Sequence, residues 1–154
     1  MGASLDDGLV EQVSSGRDSG AGIRVINGET TGFAYTADLS EAGLMAAAGA
    51  AAAAASSGDG GTHTVSLGTA KRHSVNTVRI APKSVPKARK VELLMIANDA
   101  ARGIDSSIVQ VSAGYSDATR RILIANSDGV FATDEQVRTI FRVSAVANGD
   151  AGMQ

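Results

Sequence analysis

Ile23-Arg24-Val25-Ile26-Asn27-Gly28-Glu29-Thr30-Thr31-Gly32-Phe33-Ala34-Tyr35-Thr36 sets the dipeptide Asn27-Gly28 between two runs rich in β-branched and aromatic residues. Asn-Gly accepts the positive φ angles of a tight two-residue turn, so the flanking strands, Ile23–Ile26 and Gly32–Thr36, are expected to pair antiparallel. Upstream, Leu9–Val13 reads as another short strand, separated from Ile23 by the turn-rich Ser14–Gly22. Gly20-x-Gly22 precedes a strand, whereas a dinucleotide-binding glycine loop follows a strand and opens a helix, so it reads as a bend. Downstream, Asp38 and Glu41 have the spacing of a capping box, and the alanine run carries a helix from Leu39 to about Ser57. Alanine buries little area, so Leu39, Leu44 and Met45 are the expected anchors of that helix. Glycines at 58, 60 and 61 then end it in a loop over Ser56–Thr62.

Residues 63–83 leave two readings open, since Ser74–Ile80 suits either a strand or an extended connection. Pro82 and Pro86 bracket the entry to a second helix, with Ser84 as a candidate cap and Gly103 as its terminator. Val91, Leu94, Met95, Ala97 and Ala101 follow helical spacing and should be its buried stripe, leaving Lys87, Lys90 and Asp99 outward. Three strands follow, Ile108–Tyr115, Arg121–Ala125 and Val137–Val146, with Asn126-Ser127-Asp128-Gly129 as a turn. Val109, Val111, Ala113 and Tyr115 share one face of the first, and Val137, Thr139, Phe141, Val143 and Ala145 one face of the last. The order strands, helix, helix, strands predicts an α+β fold: a mostly antiparallel sheet with two helices packed on one face.

The chain has 154 residues and a mass of 15.5 kDa, with 18 glycines and only five aromatic residues, so its core has to be aliphatic. There is no cysteine, which excludes disulfides, thiolate catalysis and sulfur-ligated zinc, and fits a reducing compartment. The apolar stretch Leu44–Ala55 is too short and too alanine-rich to span a bilayer, and Asp6 and Asp7 stand where a secretory signal would carry cations; a cytoplasmic location is expected. Charge is lopsided: eight acids stand against Arg17 and Arg24 in residues 1–59, whereas seven of the 14 cations lie between Lys71 and Lys90. That basic block contains no aromatic residue for base stacking, so it reads as solvated surface or subunit contact, with nucleic acid ranked last.

No catalytic constellation assembles from the sequence. His63 and His73 lack the i, i+3 or i+4 spacing of helical metal ligands and read as loop histidines. No Gly-x-Ser-x-Gly elbow occurs. Asp128 beside Gly129 suits a turn, and Arg120 and Arg121 suit a hydrated strand end. No residue is therefore assigned as catalytic or metal-binding, and no substrate-binding residue is identified.

Larger blocks do carry a resemblance. Ser15-Gly16-Arg17-Asp18-Ser19-Gly20-Ala21-Gly22-Ile23-Arg24-Val25, Gly32-Phe33-Ala34-Tyr35-Thr36 and Asp38-Leu39-Ser40 resemble the N-terminal domain of the TldD/PmbA family. Lys90-Val91-Glu92-Leu93-Leu94, Arg121 through Gly129, and Arg138 through Ala147 resemble it in the same order, closer to its TldD-like branch. The resemblance implies a zinc-dependent metalloprotease that trims peptides, built from two related subunits around an enclosed chamber. It implies for residues 1–154 a partial N-terminal domain, lacking an upstream helix and strand and a C-terminal catalytic domain. The family's His-Glu-x-x-x-His motif is absent from this sequence, so no ligand or catalytic residue carries over, and the chain alone is expected to be inactive. What it would supply is chamber wall and subunit interface. Its implied partners are a related subunit and an unfolded or extended peptide, with zinc held elsewhere in the parent protein. An unpaired strand edge and exposed aliphatic surface are expected. The competing reading is a non-enzymatic binding or regulatory α+β domain.

Overall fold

The computed structural model describes residues 1–56, 66–69, 77–149 and 152–153. The described elements are β1 (Gly2–Asp6), β2 (Leu9–Ser14), β3 (Ala21–Asn27), β4 (Thr30–Thr36), α1 (Glu41–Ala55), β5 (Gly68–Thr69), α2 (Lys87–Arg102), β6 (Ile108–Ala125), β7 (Val130–Gly149) and β8 (Gly152–Met153). A short 3-10 turn at Pro82–Ser84 leads into α2. The fold is α+β, mostly antiparallel, in the order strands, helix, helix, strands. Its contacts divide into two compact units, Arg17–Val65 and the remainder of the chain.

In the smaller unit, β3 and β4 form a hairpin in which Asn27 pairs with Thr30, and Gly28 takes φ +58° in the turn. Helix α1 lies over one face of it. The anchors are not Leu39 and Met45, which are 50% and 68% exposed, but Ala47, Ala51 and Ala55, all buried. Gly32 explains the exchange. A methyl group there would sit 2.7 Å from the Ala55 nitrogen and closer still to the Ala51 carbonyl oxygen, so only glycine lets the helix backbone settle this close. Small residues on both sides replace large ones as the packing device. The helix also begins later than Asp38: Ser40 is the N-cap and its Oγ accepts from the Gly43 N–H at 3.1 Å. Asp38 instead accepts from the Ser40 N–H at 2.9 Å, and this backbone hydrogen bond holds its carboxyl below the usual value.

The larger unit is a sheet ordered β2-β1-β6-β7-β5, with β8 beside β7 and β5 parallel to β7. The expected turn joins β6 to β7: the Asn126 N–H donates to the Val130 carbonyl at 3.1 Å, and Gly129 takes φ +84°. Arg121–Ala125 is not a separate strand. The polar run Ser116–Arg120 stays paired with Ile140–Gln136, so β6 continues from Ile108 through Ala125. β1, absent from the sequence reading, is the inner neighbour of β6, and β2 forms an edge whose six residues are all exposed.

α2 covers chiefly β6 and β1. Ala3, Leu5, Leu94, Ala113 and Tyr115 form the buried cluster, with Val91 packed against it and Val111 fully buried. Of the expected stripe, Leu94 is fully buried, Val91 packs against the cluster, and Ala97 and Ala101 are half-buried, but Met95 is 37% exposed. Lys90 and Asn98 are buried in its stead. Ser84 does not cap it: its Oγ donates to the Ala81 carbonyl at 2.8 Å within the 3-10 turn, and Pro86 occupies the N-cap position. Gly103 ends the helix with φ −74°, so no left-handed residue is used there. Of Ser74–Ile80, residues 74–76 lie outside the described residues and Thr77–Ile80 is irregular.

Candidate functional site

The two faces of the β1–β6–β7 sheet carry different chemistry, because side chains alternate along each strand. On the helix-covered face, Lys90 reaches through the apolar cluster to Asp117, its Nζ 2.6 Å from Oδ2 and 5.5 Å from the centre of the Tyr115 ring. Lys90 was expected outward. Its aliphatic stem packs like a hydrocarbon while the ammonium finds both a carboxylate and an aromatic face, which makes burial tolerable. The Met1 ammonium lies 3.7 Å from Asp117 Oδ1 and donates to the Asp117 carbonyl at 2.9 Å. Burial pushes the Asp117 carboxyl up, but the hydrogen bonds from Lys90 and Tyr115 and the charges of Lys90 and the N-terminus outweigh it, and the net shift is downward. Burial, then the hydrogen bond and charge of Asp117, raises the Tyr115 phenol.

On the opposite face, β1 and β6 bring Asp6 beside Ser112, and Ser4 beside Gly114. β7 adds Arg142 and Ser144 at the same levels. With Glu11 and Gln110 these residues line a shallow depression of about 780 Å³. Ser112 Oγ donates to Asp6 at 2.5 Å, and Gln110 Nε2 donates to the same carboxylate at 3.3 Å. The Ser112 hydrogen bond, then that of Gln110, holds the Asp6 carboxyl below its usual value against a small opposing effect of burial. Activation of a serine hydroxyl needs an acceptor titrating near neutrality, and the downward shift moves the Asp6 carboxylate away from that range. Ser112 and Asp6 are a hydrogen-bonding pair rather than a nucleophile and its base. The face can hold a polar ligand or a polypeptide backbone.

The groups singled out in the sequence do not converge. His63, His73, Lys71 and Arg72 lie outside the described residues. Asp128 donates its N–H to Asn126 Oδ1 at 3.1 Å and accepts from Asn126 Nδ2, which is turn chemistry. Arg121 pairs with Glu135 at 3.0 Å on an exposed stretch of β6. Within the basic block, Arg89 pairs with Glu92 at 2.7 Å, Lys87 donates to Ser15 Oγ at 3.0 Å, and Lys90 is buried, so these described cations do not form one free patch. Among the described residues, no group of three or more His, Asp or Glu side chains is placed to hold a metal ion. The Asp6 and Asp117 clusters escaped the sequence reading because each joins residues 27 or more positions apart. The available signal was the strict alternation of Gln110, Ser112 and Gly114 with Val111, Ala113 and Tyr115, which marks a second, polar face.

Two family models match the chain in order: residues 1–55 match the PmbA/TldA metallopeptidase domain 1, and residues 80–154 match the central domain of the same family. A metalloprotease TldD homolog from Haemophilus influenzae is 33% identical over 141 residues, covering 91% of this chain and 29% of the relative. A metalloprotease from Methanothermobacter thermautotrophicus is 32% identical over 153 residues, covering 97% of this chain and 32% of the relative. The crystal structure of TldE from Thermococcus kodakarensis superposes with a TM-score of 0.68 at 19% identity, covering 99% of this chain and 35% of that one, a likeness of fold. The chain thus spans about a third or less of the length of these proteins. No described helix is long and apolar enough to cross a membrane.

Proposed function

The chain belongs to the PmbA/TldA metallopeptidase family, and from that membership we propose that it is a non-catalytic, N-terminal portion of a TldD-like metalloprotease subunit. In this reading it supplies part of the wall of a peptide-holding chamber and of the contact with a related subunit, in a cytoplasmic, dimeric, zinc-dependent parent. One observation carries the reading: two successive domain models of a metallopeptidase family run through a chain whose described residues bring no metal-holding group together. The family's metal does not fit the described residues, and no step of hydrolysis is assigned to them. Their part is to hold. Among the described residues β2 has a strand partner on one side only, and its open edge offers backbone groups to an extended chain, a mode of binding that tolerates varied side chains and suits unfolded substrates.

The test is a comparison of two lengths. A gene product extended to the length of the relatives should cleave an unfolded fluorogenic peptide, lose the activity to a chelator and regain it with zinc. The 154-residue chain should show none. An extended product that binds no zinc would overturn the metalloprotease reading and favour a binding or regulatory α+β domain.

A further inference from the structure

On the hairpin β3–β4, the positions alternating away from α1 are Gly22, Arg24 and Ile26 on one strand and Thr31, Phe33 and Tyr35 on the other. Ile26 is 68% exposed, Phe33 60% and Tyr35 62%, so two of the chain's five aromatic residues stand in water on one small face. Both rings lie close to glycine backbone. A methyl group on Gly22 would sit 3.1 Å from Phe33 Cζ, and one on Gly20 would sit 2.6 Å from Tyr35 Cζ, so each ring rests on bare glycine backbone. Exposed aromatic rings on one small face offer apolar contact area at a low cost in side-chain entropy.

Phe33 and Tyr35 are two residues apart on one strand, a spacing of roughly 6.6–7 Å. An extended polypeptide offers every second side chain at that same repeat. Arg24, directly across from Phe33, is exposed, has no ion pair among the described residues, and is the sole charged residue of β3 and β4. An unpaired guanidinium between apolar neighbours is complementary to a carboxylate.

We infer that this face binds one extended polypeptide segment, placing apolar side chains over Tyr35 and Ile26 and, at the alternate position between them, a carboxylate on Arg24 with its stem against Phe33. The class of occupant rests on the peptide-handling reading above; the apolar–acidic–apolar order comes from the face itself. Single-stranded nucleic acid also stacks on aromatic pairs, but one cation over two strands neutralises too little phosphate to hold it.

The experiment uses the full chain and fluorescence polarisation of a labelled heptapeptide, Thr-Leu-Thr-Glu-Thr-Phe-Thr, without any measurement of hydrolysis. Saturable binding is expected, at least fivefold tighter than for the same peptide with Lys in place of Glu. Phe33→Ala should weaken it at least fivefold with an unchanged circular dichroism spectrum. Arg24→Glu, an exposed change that leaves the rings in place, should invert the preference toward the Lys peptide, a reversal that a purely structural role for Arg24 would not produce. Binding indifferent to these substitutions, no binding at millimolar peptide, tighter binding of oligothymidylate, or a chain dimer that Phe33→Ala dissociates would each overturn the inference. Any of these results would leave the zinc and peptidase comparison standing, and a failure of that comparison would leave the polarisation result intact.

Discussion

Replacing Gly32 with alanine should unseat α1. The added carbon would lie 2.7 Å from the Ala55 nitrogen and closer still to the Ala51 carbonyl oxygen, both backbone atoms that no side-chain rotation can move aside. Restoring ordinary contacts of about 3.5 Å to the nearer of these atoms requires the helix to withdraw by about 1.5 Å. The loss falls on Ala47, Ala51 and Ala55, the residues through which the helix is buried. Overpacking of this kind costs about 1–3 kcal/mol, and the backbone origin of the clash places Gly32→Ala at the upper end. Gly49→Ala is the matched control, since it lies in the same helix with open space where its methyl would go. It should stabilise by about 0.5–1 kcal/mol through helix propensity alone. Urea denaturation followed by circular dichroism measures both. Equal and small effects of the two substitutions would refute the close-packing account of α1.

Other consequences are as direct. Lys90→Ala should destabilise by roughly 3 kcal/mol, because Asp117 is left mostly buried without its main partner, and urea titration would show it. Because the Asp117 carboxyl is depressed in the folded state, its contribution is complete above the unfolded value near 3.8 and fades as pH falls through the lower folded value. Tyr115 acts oppositely, contributing fully below its unfolded value of 10.0 and losing that contribution as pH rises through its raised folded value. Stability-versus-pH curves should therefore steepen at both extremes, with Asp117→Asn flattening the acid limb. Ser40→Ala should cost about 1 kcal/mol as the loss of a true N-cap. A smaller effect than that of Asp38→Ala would return the cap to Asp38. The exposed edge of β2 should make the chain self-associate at high concentration, and Val13→Lys should reduce this in sedimentation analysis.

What was legible in the residues was what neighbours in sequence decide. Asn27-Gly28 and Asn126–Gly129 specify their hairpins through local turn chemistry, and the α2 stretch announces itself by helical spacing between Pro86 and Gly103. The misreadings share a physical origin in distant partners. Ser116–Arg120 looks like a strand break until its cross-strand partners Ile140–Gln136 are known. Lys90 looks like a surface cation until β6 brings Asp117 to it. The alanine run looks bland until Gly32, on a different element, explains why small residues are wanted. The polar face around Asp6 required β1, a strand too short and too close to the first residue to stand out from periodicity alone. The family resemblance was readable where individual site chemistry was not, because it is carried by blocks along nearly the whole chain.

The central claim is that these residues hold and shape, while the metal-dependent chemistry resides elsewhere in the parent protein. Its most direct measurement is elemental analysis of the purified 154-residue chain after incubation with zinc and desalting, paired with a peptidase assay on the same sample. Substoichiometric zinc and no cleavage are predicted. One zinc ion per chain, accompanied by chelator-sensitive peptide hydrolysis, would contradict it.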